Sequence, residues 1–447
     1  MTVNIISRKL IKPSTPTPQN LKKYKISFTD EISLPSNMNI ILFYPPNPNS
    51  NPITIHLEES LAKILPQFYP FAGRYIKKDH LVDCNDEGAE FVEAEANDIE
   101  LMDFIAKTEN HQLNDLVSLK LLDADKHLDP LLSVQITHFK CGGLSICVSM
   151  SHRISDASTL GTFIAAWSNA NNTNTNNNTE PIITNFDSPS LFPGINLEYS
   201  FQPPNPPLII KRLSFNKEAI SSLRSKLSPN KFISRVRLVT ALISKALIGV
   251  EIAKYGKSRA CFIGQIVNMR GKTIPPLPKH SYGNLIIQSI TQCMAANETK
   301  QIGLQELVNI IGDAIDKTVY DCAELLSVGQ DQRMKIILDP LVSLMEMLQN
   351  GRINNNIMFS DMSKVGLYEN DFGWGTPVWV GVELMHGENF TLLMGNKEGD
   401  GIEAWVHLDP NDVPYFEQDE VMKMFATTWP KNSSDSPSFP LQIKSTL

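Results

Sequence analysis

Between Asn169 and Pro207 the chain loses the means to build a core. Seven of the ten residues from Asn169 to Asn178 are asparagine, and Pro189, Pro193, Pro203, Pro204, Pro206 and Pro207 follow. Such a stretch favours an extended, solvated path. In a chain of 447 residues it leaves two long segments, one on either side. Each is long enough to bury a core of its own. The reading is an N-terminal domain over 1–170, an Asn/Pro-rich crossover over 171–210 and a C-terminal domain over 211–447. Hydrophobic residues at 42 % supply material for both.

Within the first segment, apolar spacing after Thr54 (Leu57, Leu61, Ile64, Leu65) predicts a helix that stops near Pro66. Residues 132–138 alternate, with Leu132, Val134 and Ile136 on one face and Ser133, Gln135 and Thr137 on the other. Cys141-Gly142-Gly143 supplies a turn, a second alternating strand covers 144–151, and helical spacing starts at Ala157. In the second segment helices are predicted over 217–227 and, capped by Ser234, over 234–255. A strand over 262–268 follows, then a mostly helical 304–350, strands near 377–384, 390–395 and 402–407, and a last helix over 412–426. Strands and helices mix without strict βαβ alternation. The fold class is therefore α/β of the mixed-sheet, α+β kind rather than doubly wound.

Forty basic against 48 acidic residues give a net charge of −8, which argues against a nucleic-acid partner. The opening residues carry charges where a signal peptide needs an apolar run, and no run reaches the roughly eighteen residues of a membrane span. A cytoplasmic protein without a membrane partner is expected. The six cysteines contain no CxxC pair, so they read as reduced, packed side chains rather than a metal site. GxGxxG, Walker A, GxSxG and HExxH motifs are all absent.

The chemistry concentrates in Ser151-His152-Arg153-Ile154-Ser155-Asp156. His152 shares the parity of Leu144, Ile146, Val148 and Met150, so its ring points inward from the end of a buried strand. A neutral imidazole there can accept a proton near pH 7. On these residues alone, a hydrogen-bonded core histidine and an N-cap at Asp156 are the commoner readings. A second block, Asp371-Phe372-Gly373-Trp374-Gly375, precedes the strand near 377 and reads as a structural turn.

Together the HxxxD and DFGWG blocks resemble the plant BAHD acyltransferase family. Phe68-Tyr69-Pro70-Phe71-Ala72-Gly73-Arg74, Cys84-Asn85-Asp86, Val267-Asn268-Met269-Arg270, Gly283-Asn284 and Asp400-Gly401-Ile402-Glu403-Ala404-Trp405 agree with it in order. The stretch Ile11 to Pro18, followed by Leu21, Tyr24 and Ser27, is similar to the members that acetylate alkaloid hydroxyls. The resemblance implies two chloramphenicol-acetyltransferase-like domains with a channel between them. It also implies an acyl-CoA cosubstrate (acetyl-CoA first), no permanently bound cofactor, no metal, a small alcohol acceptor and a monomer. His152 is then the general base, with direct attack on the thioester. Asp156 is structural and pairs with Arg270, and Trp374 is a candidate oxyanion donor. Asp30, in a stretch resembling the family's SxxD, is a candidate for the acceptor's amine or else a solvated turn residue. Malonyl or longer donors on other alcohols, and a non-catalytic binding relative, are the alternatives. Where relatives read WCR-x-x-x-Y, this chain has Met362 to Tyr368.

Overall fold

The alternation at 132–151 folds into the predicted hairpin: Leu132–Phe139 and Leu144–Ser151 pair antiparallel, turning through Gly142 at φ 81°. The structure, a computed structural model, describes residues 1–47, 53–107, 110–120, 129–172, 182–197, 208–227, 232–257, 260–293, 302–350, 355–383 and 387–429. The asparagine-rich stretch falls largely outside them.

Two compact units make up the chain. The first takes Met1–Gln202 together with Leu277–Leu285 and Val365–Met385. Its six-stranded sheet runs in the order Asn4–Ile11, Ala89–Ala96, Leu132–Phe139, Leu144–Ser151, Asn37–Tyr44, Trp379–Glu383. The Ala89–Ala96 and Leu132–Phe139 strands are parallel and the other neighbours antiparallel. A smaller sheet joins Lys23–Lys25, Leu81–Asp83 and Arg74–Ile76. The helices Ile53–Ile64 and Ala157–Asn171 form where spacing predicted them.

Both faces of the hairpin are buried, including the polar one carrying Ser133, Gln135, Thr137, Ser145 and Ser149. The reason is a cover without regular strand structure that offers backbone carbonyls. Gln135 donates to the Asp115 carbonyl at 3.2 Å, Asn39 to Leu119 at 3.4 Å and Asn37 to Lys120 at 2.7 Å. Polar residues on a strand thus mark a docked loop here, not water.

The described part of the crossover is also packed. Phe192 is fully buried against Phe28, and the backbone N–H groups of Ile195, Asn196 and Leu197 all donate to the Glu31 carboxylate. Phe186 stacks among Tyr24, Tyr69 and Tyr282. Residues 182–197 are thus held against the rest of the first unit by two aromatic side chains, Phe186 and Phe192, and by the Glu31 carboxylate.

The second unit builds a seven-stranded sheet in the order Ile286–Cys293, Cys261–Asn268, Asn355–Asp361, Phe390–Gly395, Ile402–Leu408, Ile209–Phe215, Thr427–Trp429. The helix Arg235–Tyr255 starts at the Ser234 cap and ends at left-handed Gly256. It buries Leu238, Leu242 and Leu247 in one core with Ile263, Ile357, Phe359 and Leu393 of the sheet. The helix expected over 412–426 is two, Val413–Phe416 and Glu420–Phe425, because Asp419 accepts from Met422 N at 2.8 Å and caps a new start. Among the described residues no helix is long and apolar enough to cross a membrane.

Candidate active site

Strand pairing carries the chain to His152. Ser151 lies opposite Asn37, and the His152 N–H continues the ladder by donating to the Ser36 carbonyl at 2.8 Å. The turn after it is fastened from several sides. Ser155 Oγ donates to the Ser151 carbonyl at 2.6 Å, and buried Arg153 donates to the carbonyls of Glu31 and Ser33 at 3.3 and 3.4 Å. Asp156 then caps the helix, its Oδ1 accepting from Thr159 N at 2.9 Å. Its Oδ2 accepts from Leu285 N at 3.1 Å. One carboxylate thereby starts the helix and docks the 277–285 segment on it.

That segment brings Asn284 to the histidine. Asn284 Nδ2 donates to the His152 carbonyl and to Asp30 Oδ1, each at 2.8 Å, and its backbone N–H reaches the same Asp30 oxygen at 2.8 Å. Gly283 ahead of it sits at φ 106°, where a Cβ would lie 2.8 Å from Ser188 Oγ. Only glycine fits that backbone.

Asp30 is fully buried and its other oxygen accepts from Ser27 N at 3.0 Å and Ser27 Oγ at 2.7 Å. Neither sequence expectation for it survives. It is not a solvated turn residue, and with both oxygens engaged inside the protein no face is left for an acceptor amine. Burial pushes the Asp30 carboxyl up against these donors. Burial pushes the His152 imidazole down, while its own carbonyl, the Asp156 charge and the Asn284 side chain pull the other way. The physical outcome is a neutral ring at neutral pH.

The 371–375 block lies elsewhere in the first unit. Asp371 Oδ1 accepts from Gly373 N at 2.7 Å and Gly375 N at 2.8 Å, closing a tight loop on two glycines with φ above 100°. Phe372 meets Trp167 edge-on and Asn171 Nδ2 donates to its carbonyl at 2.7 Å. Trp374 stacks on Phe372 and faces Tyr44 at 6.0 Å. Asp371 thus closes this loop. Tyr44 ends the strand whose other end, Asn37, adjoins Ser151. At about 3.3 Å per residue the strand separates Tyr44, which the indole flanks, from Asn37 by roughly 23 Å. Trp374 cannot serve an oxyanion formed at His152.

Arg270 belongs to the second unit, where its backbone N–H and Nη1 donate to Asn268 Oδ1 at 3.0 and 3.1 Å. The first unit therefore brings together His152, Asp156, Asp30 and Asn284. Asn284 was missed as a functional residue: the Gly283-Asn284 pair is visible in the sequence, but its Asp30 partner is 254 residues away.

With this geometry in hand, residues 1–422 match the family model described as the transferase family. The chain belongs to the BAHD family of acyltransferases. A BAHD relative from Salvia splendens, pelargonidin 3-O-(6-caffeoylglucoside) 5-O-(6-O-malonylglucoside) 4'''-malonyltransferase, is 42 % identical over 95 % of this chain and 100 % of its own. Vinorine synthase from Rauvolfia serpentina is 34 % identical over 91 % of this chain and 94 % of its own. The crystal structure of vinorine synthase superposes with a TM-score of 0.79 at 32 % identity, covering 93 % of this chain and 96 % of that one. F. graminearum TRI101, complexed with ethyl coenzyme A, matches at TM-score 0.68 and 17 % identity over 91 % of this chain and 99 % of its own. That likeness extends the fold alone. The BAHD chain shares the mixed α/β, chloramphenicol-acetyltransferase-like architecture of these neighbours.

Proposed function

We propose that this acyltransferase moves an acyl group from acyl-coenzyme A to a hydroxyl of a small plant metabolite, with His152 as the general base. The observation that supports it most is the desolvated imidazole at a strand end, on a residue whose backbone N–H is fixed by the Ser36 carbonyl and whose own carbonyl is fixed by Asn284. As the acceptor oxygen attacks the thioester carbonyl, the ring takes the hydroxyl proton. The new C–O bond forms, the C–S bond breaks, and the leaving thiolate recovers the proton. General-base help is worth about 10²–10⁴ in rate, and holding both reactants adds a proximity contribution. Asp156 supports the ring by fixing the turn and helix that present it.

Four relatives support two substrate pairs. Vinorine synthase, with stemmadenine O-acetyltransferase and salutaridinol 7-O-acetyltransferase at 32 % identity, supports acetyl transfer to an alkaloid-type hydroxyl. The Salvia malonyltransferase at 42 % supports malonyl transfer to a sugar hydroxyl of a glycosylated pigment. The higher identity puts the malonyl reading first in the assay. Purified protein incubated with acetyl-, malonyl- and longer acyl-coenzyme A against alkaloid, alcohol and pigment-glucoside pools should give one mass-shifted product. His152→Ala should lower that turnover by about 10²–10⁴-fold. Near-full turnover in a folded His152→Ala protein removes His152 as the base. Coenzyme-dependent thermal stabilisation without product from any pool replaces the enzyme reading with a binding one.

A further inference from the structure

Asn284 carries an arrangement that acyl transfer as proposed leaves unused. Its carboxamide nitrogen donates to two groups that can only accept, the Asp30 carboxylate and the His152 carbonyl. With its backbone N–H on Asp30 as well, the side chain is pinned and its nitrogen and oxygen ends are told apart by chemistry. The oxygen end is therefore turned away from Asp30. Asn284 Oδ1 is buried with no donor, and His152 Nδ1 is buried with no partner. One residue thus offers an unsatisfied acceptor and the other an unsatisfied ring nitrogen, and the two are already joined through the Nδ2 bond. A buried acceptor without a donor is costly, so a small ring rotation that joins them is favoured. The ring's own carbonyl also bears on it, yet that oxygen is the one that Asn284 Nδ2 holds in place.

We infer that Asn284 is a positioning residue: its Oδ1 accepts the Nδ1 proton of His152, so Nε2 carries the lone pair that takes the hydroxyl proton. Asp30, buried and acceptor-only, sets the orientation of the amide. The two residues do for this histidine what a carboxylate does in a hydrolase triad, with a neutral amide in place of the carboxylate on Nδ1. The inference rests on His152 acting as base, and its test is independent of turnover.

The full chain labelled with ¹⁵N-histidine is examined at pH 8, and His152 is picked out of the nine histidines by its loss in His152→Gln. The expected spectrum has a proton on Nδ1 and a pyridine-type Nε2. Asn284→Ala should move His152 toward a mixture of tautomers and lower kcat by about tenfold to 10²-fold, with KM for acyl-coenzyme A within about twofold. Asp30→Asn, which lets the 284 amide turn over, should shift both readouts the same way by less. A wild-type His152 protonated on Nε2 overturns the inference, as does an Asn284→Ala protein whose tautomer is unchanged. Should Asn284→Ala not fold, the wild-type and Asp30→Asn spectra still decide. If His152→Gln keeps its turnover, the base assignment falls instead, whatever the tautomer.

Discussion

Removing a titratable side chain from water disfavours its charged form, and His152 and Glu383 meet that rule from opposite sides. For the imidazole the charged form is the protonated one, so burial lowers its affinity for the proton below the ordinary value of 6.5. The kcat profile should then rise through an apparent pKa below 6.5 and stay flat to pH 8. An acid limb centred above 6.5 contradicts this. For stability the sign follows from proton counting. The unfolded chain binds the proton first, so the contribution of His152 is present above 6.5 and lost as pH falls. Glu383 shows the reverse. Its carboxyl sits on the buried polar face with Asn39 Nδ2 at 2.8 Å, and burial pushes it up to about 7 from 4.5. In the folded protein it therefore opposes ionisation between those values. Glu383→Gln should match the wild type at pH 4.5 and gain stability up to pH 7, levelling at about 3 kcal/mol. Urea unfolding at pH 4.5 and pH 8 reads the difference directly. Equal stability at both would show that the carboxyl is solvated.

At the scale of elements, caps and turns decide where the site stands. Asp156 satisfies Thr159 N and Leu285 N together. Asp156→Ala should cost about 1–3 kcal/mol and lower kcat as well, since the same loss loosens the segment holding Asn284. Asp371 offers a contrast. Its loop on Gly373 and Gly375 lies a strand's length from His152, so Asp371→Ala should cost about 1–3 kcal/mol while kcat of the folded protein stays within about twofold. Thermal melting beside steady-state kinetics separates the two, and a large kcat loss in well-folded Asp371→Ala contradicts the distance argument. Elements with strong periodicity were legible in advance. The 132–151 hairpin, the helices at 157 and 234 and the late strands follow from spacing and caps. The split of the last helix at Asp419 and the cover on Gln135 and Asn39 were not, because each is set by hydrogen bonds to partners that spacing does not display.

At the scale of the chain, the site's own residues explain why sequence reasoning stopped where it did. His152 and Asp156 lie four apart and announce themselves; Asp30 and Asn284 lie 254 apart and meet only because 277–285 folds back onto the first unit. The segment 365–385 returns in the same way. Its strand Trp379–Glu383 pairs with Asn37–Tyr44, whose eight residues are all buried. A break at the crossover, the boundary the proline-rich stretch suggests, would strip both returning segments from the first unit. A fragment of residues 1–202 would then present Asn37–Tyr44 as an open, apolar edge, the geometry from which strands add to one another. It would also leave Asp30 buried with only Ser27 as donor. That fragment is expected to aggregate on expression, whereas appending 365–385 through a flexible linker should recover soluble material by closing the edge. Size-exclusion chromatography with far-UV circular dichroism distinguishes the outcomes. A monomeric, folded 1–202 would mean that Asn37–Tyr44 closes the sheet unaided and that the returning strand contributes little to the first unit.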